Sequence, residues 1–305
     1  MEVMQSLTRV KEILTQSAVA DGSELDASSL QNLDNMIARA ASSLTEPQTL
    51  GSKSLSIDNE ILAQLNIVGI GFLVLKPHVT ERIQEIKLVG SDKLWSSTRL
   101  HHHLKLLEKL IPKENTEGAY MWIEAFFSRV SAMVSPGQQM VFKVENTPLP
   151  KLASTHEFTN YVAIIAETDA AECFYRDPQI TVVQQLDTGF FLTEVKGNPL
   201  YEYIPQAVCR LYGYSKQLKK EIIRGGLTNG HEWLFIILYS NKNGEGASYK
   251  FSTTFTYRTV PCDATGAEEK QETGPDVIAG ILLYWIQRGF EDINEDDWFE
   301  ELVVE

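Results

Sequence analysis

An unbroken apolar segment, "YVAIIA" from Tyr161 to Ala166, is the feature that most constrains the fold of this chain. A strand with one face in solvent alternates apolar and polar residues, whereas an unbroken apolar run is typical of a strand covered on both faces. The segment belongs to a predicted strand at 158–167. Helical patterns stand before and after this strand, so the sequence predicts an α/β chain.

The pattern from about residue 116 to 228 predicts the order helix, three strands, helix, strand. In the first helix, apolar residues recur at helical spacing. The second helix runs from Asn198 to Leu218, with a bend where Pro205 falls inside it. Asn229-Gly230 predicts a hairpin between a fourth and a fifth strand. The segments are "NTEGAYMWIEAFFSRVSAMV", "QMVFKVEN", "FTNYVAIIAE", "GFFLTEVKG", the Asn198–Leu218 helix and "EIIRGGLTNGHEWLFIILY". A sixth strand, "SYKFSTTFTY", and a C-terminal helix, "PDVIAGILLYWIQRGF", follow.

Three regions are predicted along the chain: a helix-rich N-terminal region at 1–112, a main domain at 113–290 and an acidic C-terminal tail at 291–305. In the first region, "LNIVGIGFLVL" (Leu65 to Leu75) is predicted to be a buried strand or helix. It is well short of the roughly 20 residues that a membrane-spanning helix needs. No membrane association is therefore expected.

The charge is uneven along the 305-residue chain. The net charge of −14 argues against a protein that coats nucleic acid by bulk electrostatics. The tail "EDINEDDWFEELVVE" holds many acids and no base. A basic stretch from 210 to 224 contains a single acid, Glu221, and is predicted to contact nucleic acid. Its bases are Arg210, Lys216, Lys219, Lys220 and Arg224.

Other motifs carry little chemistry. The three cysteines are widely spaced and form neither a disulfide framework nor a metal knuckle, and the N-terminus has no apolar block of the signal-peptide kind. An intracellular protein, in the cytoplasm or nucleus, is therefore expected. His101-His102-His103 cannot all meet one ion from adjacent helix positions, which point about 100° apart. A solvated helix face is predicted there.

Glu194 and Lys196 stand at the end of the third predicted strand. Residues two apart along a strand share a face, so this acid and this base are expected on one side of the sheet. Two other Glu-x-Lys triplets begin at Glu85 and Glu268, outside any such order of elements. The pair is consistent either with a solvent-facing ion pair at a strand end or with a functional site.

This order of elements, with "TEVK" on the third strand, resembles the PD-(D/E)XK nuclease superfamily, the restriction-endonuclease-like fold. The resemblance covers residues 115 to 240. It implies an αβββαβ core with a mixed central sheet, and metal-dependent hydrolysis of phosphodiester bonds in DNA or RNA. It implies Mg²⁺ or Mn²⁺ as the cofactor, because carboxylates hold hard cations. Glu194 is then a metal ligand, and Lys196 orients or deprotonates the attacking water.

The resemblance extends to three further positions. Gln206, on the helix after the pair, is expected to assist near the metal and the scissile phosphate. Glu117, preferred over Glu124, corresponds to the helical Glu of the family and is a third candidate metal ligand. Asn160 stands on the second strand where the family most often has Asp. An amide oxygen can coordinate Mg²⁺ but brings no charge, so weaker metal binding is expected.

Asn160 leaves alternatives open. A neighbouring acid such as Glu157 or Glu167 completes the ligand set, or the position has been mutated, or the domain is a weakened or inactive nuclease fold that serves as a binding module. The run from "IPQAVCRLYGYSK" to "IIRGGLTNGHEWLFIIL" resembles fungal members of the superfamily, including nuclease-like domains of crinkler-type effectors. The LFLAK-type header of those effectors is absent.

Two alternatives also remain for the aromatic and acidic residues outside the motif. Tyr212 or Tyr214 stacks on a base or contacts phosphate, or packs in the interior. The tail either is a solvated end that aids solubility, or docks as a short amphipathic helix on the stretch from Lys216 to Arg224 and mimics phosphate.

Overall fold

A mixed nine-stranded sheet forms the centre of the part of the chain that the structure describes. The structure is a computed structural model, and it describes residues 60–77, 79–112, 118–145, 160–177, 180–186, 189–195, 199–242, 245–257, 274–296 and 298–302. All of these residues belong to one unit, Ile57–Glu305. The main path of the sheet has the strand order β2-β3-β4-β5-β6-β7-β1-β9, and β8 pairs with β6.

The strands pair mostly in antiparallel fashion. The parallel pairs are β4 with β5 and β1 with β7. The strands are β1 Ile67–Leu75, β2 Gln138–Glu145, β3 Asn160–Glu167, β4 Phe190–Val195, β5 Ile222–Thr228, β6 Glu232–Ser240, β7 Ala247–Ser252, β8 Phe255–Thr256 and β9 Phe299–Leu302.

Helices cover both faces of the sheet, so the α/β prediction is confirmed. One face packs against α1, α2, α3 and α7, and the other against α4, α5 and α6. The helices that follow β1 are α1 Val79–Leu88, α2 Ser97–Leu110, α3 Ala119–Met133, α4 Thr168–Arg176, α5 Ile180–Gln184, α6 Ile204–Leu218 and α7 Pro275–Gln287. None of the helices in the described ranges is both long and apolar enough to cross a membrane.

The predicted order of helix, three strands, helix, strand is present as α3, β2, β3, β4, α6 and β5. Two short helices that the sequence analysis did not predict, α4 and α5, connect β3 to β4. Pro205 lies in the first turn of α6, where a missing N–H costs no helical hydrogen bond, so the predicted bend is wrong. A 3₁₀ turn, Leu200–Tyr203, precedes that helix.

The turn between β5 and β6 confirms the hairpin predicted at Asn229-Gly230. Gly230 has φ +89°, a backbone angle that glycine adopts without strain. The Oδ1 of Asn229 accepts hydrogen bonds from the backbone N–H groups of His231 and Glu232, at 3.0 and 2.7 Å. The predicted sixth strand is divided into β7 and β8.

β1 differs from its prediction as a buried element. It is a strand, but Val68, Ile70 and Phe72 are 59%, 53% and 44% exposed. The reason is its position near one edge of the sheet, between β7 and the short β9. β1 precedes residue 112, and its partners β7 and β9 follow it, so the predicted boundary at residue 112 separates strands of one sheet. Residues 1–59 lie outside the described residues.

The acidic tail also differs from both predictions. It forms a 3₁₀ turn, Ile293–Glu295, and then β9, which pairs antiparallel with β1. Asp296, Trp298 and Phe299 are 0–1% exposed, so this segment is neither a solvated end nor an amphipathic helix. The reason is that its Trp298 and Phe299 side chains are buried in the core, while its backbone pairs with β1.

Candidate functional site

One end of the sheet gathers the elements that carry the predicted site. β2, β4 and β5 end there and β3 begins there, as their registers show. The N-terminus of α3 lies at the same end, because a Cβ on Gly230 in the β5–β6 turn would come within 2.9 Å of the carbonyl oxygen of Ala119. The connection from β4 to α6 also leaves from this end.

The register places Asn160 and Glu194 side by side. Asn160 of β3 is the Cα partner of Glu194 of β4, and on its other side it is the partner of Glu145 of β2. Direct partners in antiparallel strands are about 5 Å apart and share a face. The three positions therefore form a row of acid, amide and acid across three strands, called here the 145–160–194 row.

The face of this row follows from its neighbours. Val162 and Leu192, two residues from Asn160 and Glu194, belong to the core on the sheet face that α4, α5 and α6 cover. Because alternate residues share a face, the row lies on the face that α6 covers. Gln206 is half-buried in the first turns of α6, the helix that begins at this end of the sheet. The structure thus brings Asn160, Glu194 and the helix of Gln206 to one end and one face.

Two predicted residues lie outside the described residues: Lys196, which follows β4 by one position, and Glu117, which precedes α3 by two. The alternative helix acid, Glu124, is exposed on α3. Burial raises the pKa of the Tyr161 hydroxyl, and the charge of Glu124 is the second largest cause of that rise. The Glu124 carboxylate therefore lies near Tyr161. Glu124 is therefore close to the start of β3.

The acids proposed to compensate for Asn160 need correction. Glu167 is the last residue of β3 and pairs with Gln138, at the opposite end of the sheet. Seven residues of extended chain separate it from Asn160 by about 24 Å. It cannot share a ligand set with Asn160. Glu157 lies outside the described residues.

The acid that the sequence analysis missed is Glu145. It ends the predicted strand "QMVFKVEN", so its strand assignment was available, but its pairing with Asn160 was not. The segment between β2 and β3 is too long to determine a register by turn geometry, which does so only in tight hairpins. The register comes from the fold.

The predicted basic contact surface is only partly at the surface. Arg224 is fully buried and bonded to Asp296, and Arg210 is 4% exposed, so the prediction that these two arginines contact nucleic acid is wrong. Both side chains occupy positions of their elements that face the interior. Lys216 and Lys219 are exposed, and Lys220 is half-buried, with its Nζ donating to the Leu186 carbonyl at 2.6 Å.

These lysines lie at the far end of α6 from the candidate site. Ten helical residues separate Gln206 from Lys216, a distance of about 15 Å. Around the site end, the described charged residues include half-buried Glu202 and Glu232 and exposed Glu124, with Lys143 on β2. Among the described residues at this end of the sheet, acids outnumber bases, and Lys216, Lys219 and Lys220 lie at or beyond the opposite end of α6.

The tyrosines of α6 pack rather than project. Tyr214 lies 5.8 Å from the ring of Phe190, and the Tyr212 hydroxyl accepts a hydrogen bond from the Gly246 N–H at 3.1 Å. Lys216 Nζ lies 4.6 Å above the Tyr212 ring. Packing is therefore the role of both. Tyr201, which the sequence analysis did not single out, is 63% exposed in the turn before α6.

The histidine triplet is not a simple solvated face. His102 is exposed, whereas the His101 Nε2 lies 2.8 Å from Oδ2 of buried Asp276 in α7. The ring of His103 packs 5.1 Å from Trp95, and burial lowers its pKa. Among the side chains that the structure describes, no group of three His, Cys, Asp or Glu residues could hold a metal ion. The triplet is structural.

Comparison with known proteins identifies no relative. No family model matches the chain, no curated protein matches it, and no solved structure matches it.

Proposed function

We propose that this protein is an intracellular, metal-dependent phosphodiesterase of the PD-(D/E)XK type that acts on nucleic acid. The observation that carries the proposal is the pairing of Asn160 with Glu194 at the end of the sheet where α6 begins. The resemblance requires these two positions to be adjacent. A register shifted by one residue would have placed them on opposite faces.

The residues present fit a hard divalent cation. The 145–160–194 row contains two carboxylates and one amide, and oxygen donors of this kind are the ligands that Mg²⁺ and Mn²⁺ prefer. Glu194 and Asn160 hold the cation in this proposal, and Glu145 supplies the second carboxylate that Asn160 lacks. A cation bound there neutralises charge on the phosphate and makes water a better nucleophile.

The remaining roles belong to Lys196 and Gln206. Lys196, two residues after Glu194, orients the attacking water and offsets the negative charge that develops on the phosphate. Gln206 donates from its amide to a phosphate oxygen. The described acids at this end of the sheet, which include Glu202 and Glu232, disfavour an anionic substrate without a cation, which is why metal dependence is part of the proposal.

A nuclease assay tests this function. The purified chain is incubated with single- and double-stranded DNA and RNA in Mg²⁺ or Mn²⁺, and Lys196→Ala is compared with the wild type. A loss of about 10²- to 10⁴-fold is expected, the range for removal of a proton-transfer group. Lys87→Ala is the matched control, because Lys87 ends another Glu-x-Lys triplet and is exposed on α1. Cleavage that survives Lys196→Ala refutes the assignment.

A second candidate function is an inactive nuclease fold that serves as a binding module. Asn160 favours it, since the amide removes one negative charge from the ligand set. Calorimetric titration with Mn²⁺ separates the two functions. Binding that disappears in Glu194→Gln supports the nuclease, whereas the absence of binding to the wild type supports the module.

A further inference from the structure

Tyr201 presents an exposed aromatic ring at the end of the sheet that carries the candidate site. It lies in the 3₁₀ turn Leu200–Tyr203, between β4, which carries Glu194, and α6, which carries Gln206. Its side chain is 63% exposed. The turn is anchored at both ends: Leu200, its first residue, is 1% exposed, and Ile204, which follows it, is 5% exposed. The ring is therefore held on a supported turn at the surface.

The other tyrosines of this region are occupied by packing. Tyr203 and Tyr214 pack against the core beneath α6, and the Tyr212 ring lies under Lys216 Nζ. An aromatic ring that is more than half exposed keeps apolar surface in water, and covering that surface by burial or stacking is favourable. Tyr201 thus offers a flat apolar surface at the same end of the sheet as Glu194 and Gln206.

Among the residues that the structure describes, the charges around the site disfavour a duplex. Proteins that bind duplex DNA neutralise several phosphates with Lys or Arg. Here Glu202 is the next residue after Tyr201, and exposed Lys216 lies about 15 Å along α6 from Gln206. Stacking of an unpaired base on an aromatic ring needs no positive charge at the ring. Bases within a duplex are already stacked on each other and are not accessible to such a ring.

We propose that Tyr201 stacks on an unpaired nucleobase, and that the substrate of the site is single-stranded nucleic acid, DNA or RNA. This inference rests on the proposed nuclease function. The strand runs from Tyr201, past Gln206, along α6 toward Lys216 and Lys219. These lysines contact phosphates beyond the scissile bond.

Binding isotherms test the inference. The probes are a fluorescein-labelled single-stranded DNA, the RNA of the same sequence and the matching DNA duplex, followed by anisotropy in EDTA and in Ca²⁺. Tyr201→Ala is expected to weaken binding of a single strand by about fivefold or more, the equivalent of one lost base stack. Tyr201→Phe keeps the ring and is expected to bind as the wild type does.

The matched control is Tyr175→Ala. Tyr175 is 75% exposed on α4, the helix that starts where β3 ends, at the opposite end of the sheet from Asn160. Its removal is expected to leave all three isotherms unchanged. Because Tyr201 and Tyr175 are both mostly exposed, neither substitution is expected to disturb folding, which thermal melts verify.

The outcomes separate this inference from the function on which it rests. If the wild type binds neither single strand nor duplex, the nuclease function and the role of Tyr201 fail together. If the wild type binds a single strand and Tyr201→Ala binds equally well, the role of Tyr201 fails and the nuclease function stands. Tighter binding of the duplex than of either single strand overturns the single-stranded substrate. A fivefold loss confined to Tyr201→Ala supports the inference, and the DNA and RNA arms identify the strand.

Discussion

Arg224 and Asp296 form an ion pair that is fully shielded from solvent, with 2.8 Å between Nη1 and Oδ2. Arg224 also donates to the carbonyl oxygens of Glu291 and Asp292, and Trp285 Nε1 donates to the same Asp296 oxygen. The other carboxylate oxygen accepts hydrogen bonds from the backbone N–H groups of Trp298 and of Phe299, the first residue of β9. The pair therefore joins the centre of the sheet to the acidic C-terminal segment.

Asp296→Asn is expected to destabilise the protein by about 3–5 kcal/mol, because it leaves the Arg224 guanidinium buried without a counter-charge. Burial lowers the pKa of Arg224, and the charge of Asp296 opposes that effect. Urea denaturation measures the free energy of unfolding. Arg176→Ala is the control, since its pair with Glu172 is exposed and contributes about 1 kcal/mol at most. Similar losses in the two variants would contradict the prediction.

Truncation after Arg288 is expected to unfold the protein rather than expose a binding surface. It removes Asp296 together with the buried rings of Trp298 and Phe299. Each buried aromatic side chain contributes about 3–5 kcal/mol, against a total stability of about 5–15 kcal/mol. Far-UV circular dichroism and thermal melting test this expectation. A truncated chain that melts cooperatively near the wild-type temperature would show that the segment is dispensable.

Acid is expected to remove the stabilising contribution of Asp276. Burial would raise its pKa, but hydrogen bonds from His101 and Ser97 and the charges of His101 and Arg129 outweigh it, so the pKa lies below 3.8. The unfolded chain thus binds this proton more readily, and the contribution is present above about pH 4 and lost as the pH falls through the folded pKa. The stability difference between wild type and Asp276→Asn is expected to shrink in acid. A difference independent of pH would contradict the assignment.

Gly280→Ala is expected to destabilise α7 although alanine is the better helix former by about 1 kcal/mol. A Cβ at this position would come within 2.4 Å of the Trp298 ring, which is 1% exposed and has no room to move. Overpacking of this kind costs about 1–3 kcal/mol. Gly71→Ala is the matched control, since its Cβ meets only Lys250 Cγ, at 4.0 Å. Thermal melts that rank the two variants in the reverse order would count against this packing.

Charge in the 145–160–194 row is expected to set metal affinity. Asn160→Asp adds a carboxylate between Glu145 and Glu194 and is expected to tighten Mn²⁺ binding about tenfold or more, whereas Glu145→Gln is expected to weaken it. Calorimetry measures both constants. Gln138→Glu is the control, because Gln138 lies on β2 at the other end of the sheet. An equal gain from Gln138→Glu and Asn160→Asp would point to general electrostatics instead of coordination.

The local elements could be predicted from the sequence, and the reason is that their signals are local. The apolar run of β3 indicates burial on both faces. Asn229-Gly230 favours a tight turn, because the Asn229 side chain accepts backbone hydrogen bonds within the turn and Gly230 adopts a positive φ without strain. Glu194 could be placed at the end of β4 because strand patterns carry a period of two residues. Each of these inferences depends on residues within a few positions of one another.

Only the tertiary structure determined which charged residues are buried and which strands pair. Arg224 belongs to a basic stretch and Asp296 to an acidic one, so the sequence indicates exposed positions for both. In the fold they form a buried pair, although 72 positions of sequence separate them. The same is true of β1 beside β7 and β9, and of Glu145 beside Asn160. Which distant groups meet depends on the burial free energy of the whole chain, and a charge enters the interior only where a partner offsets its desolvation.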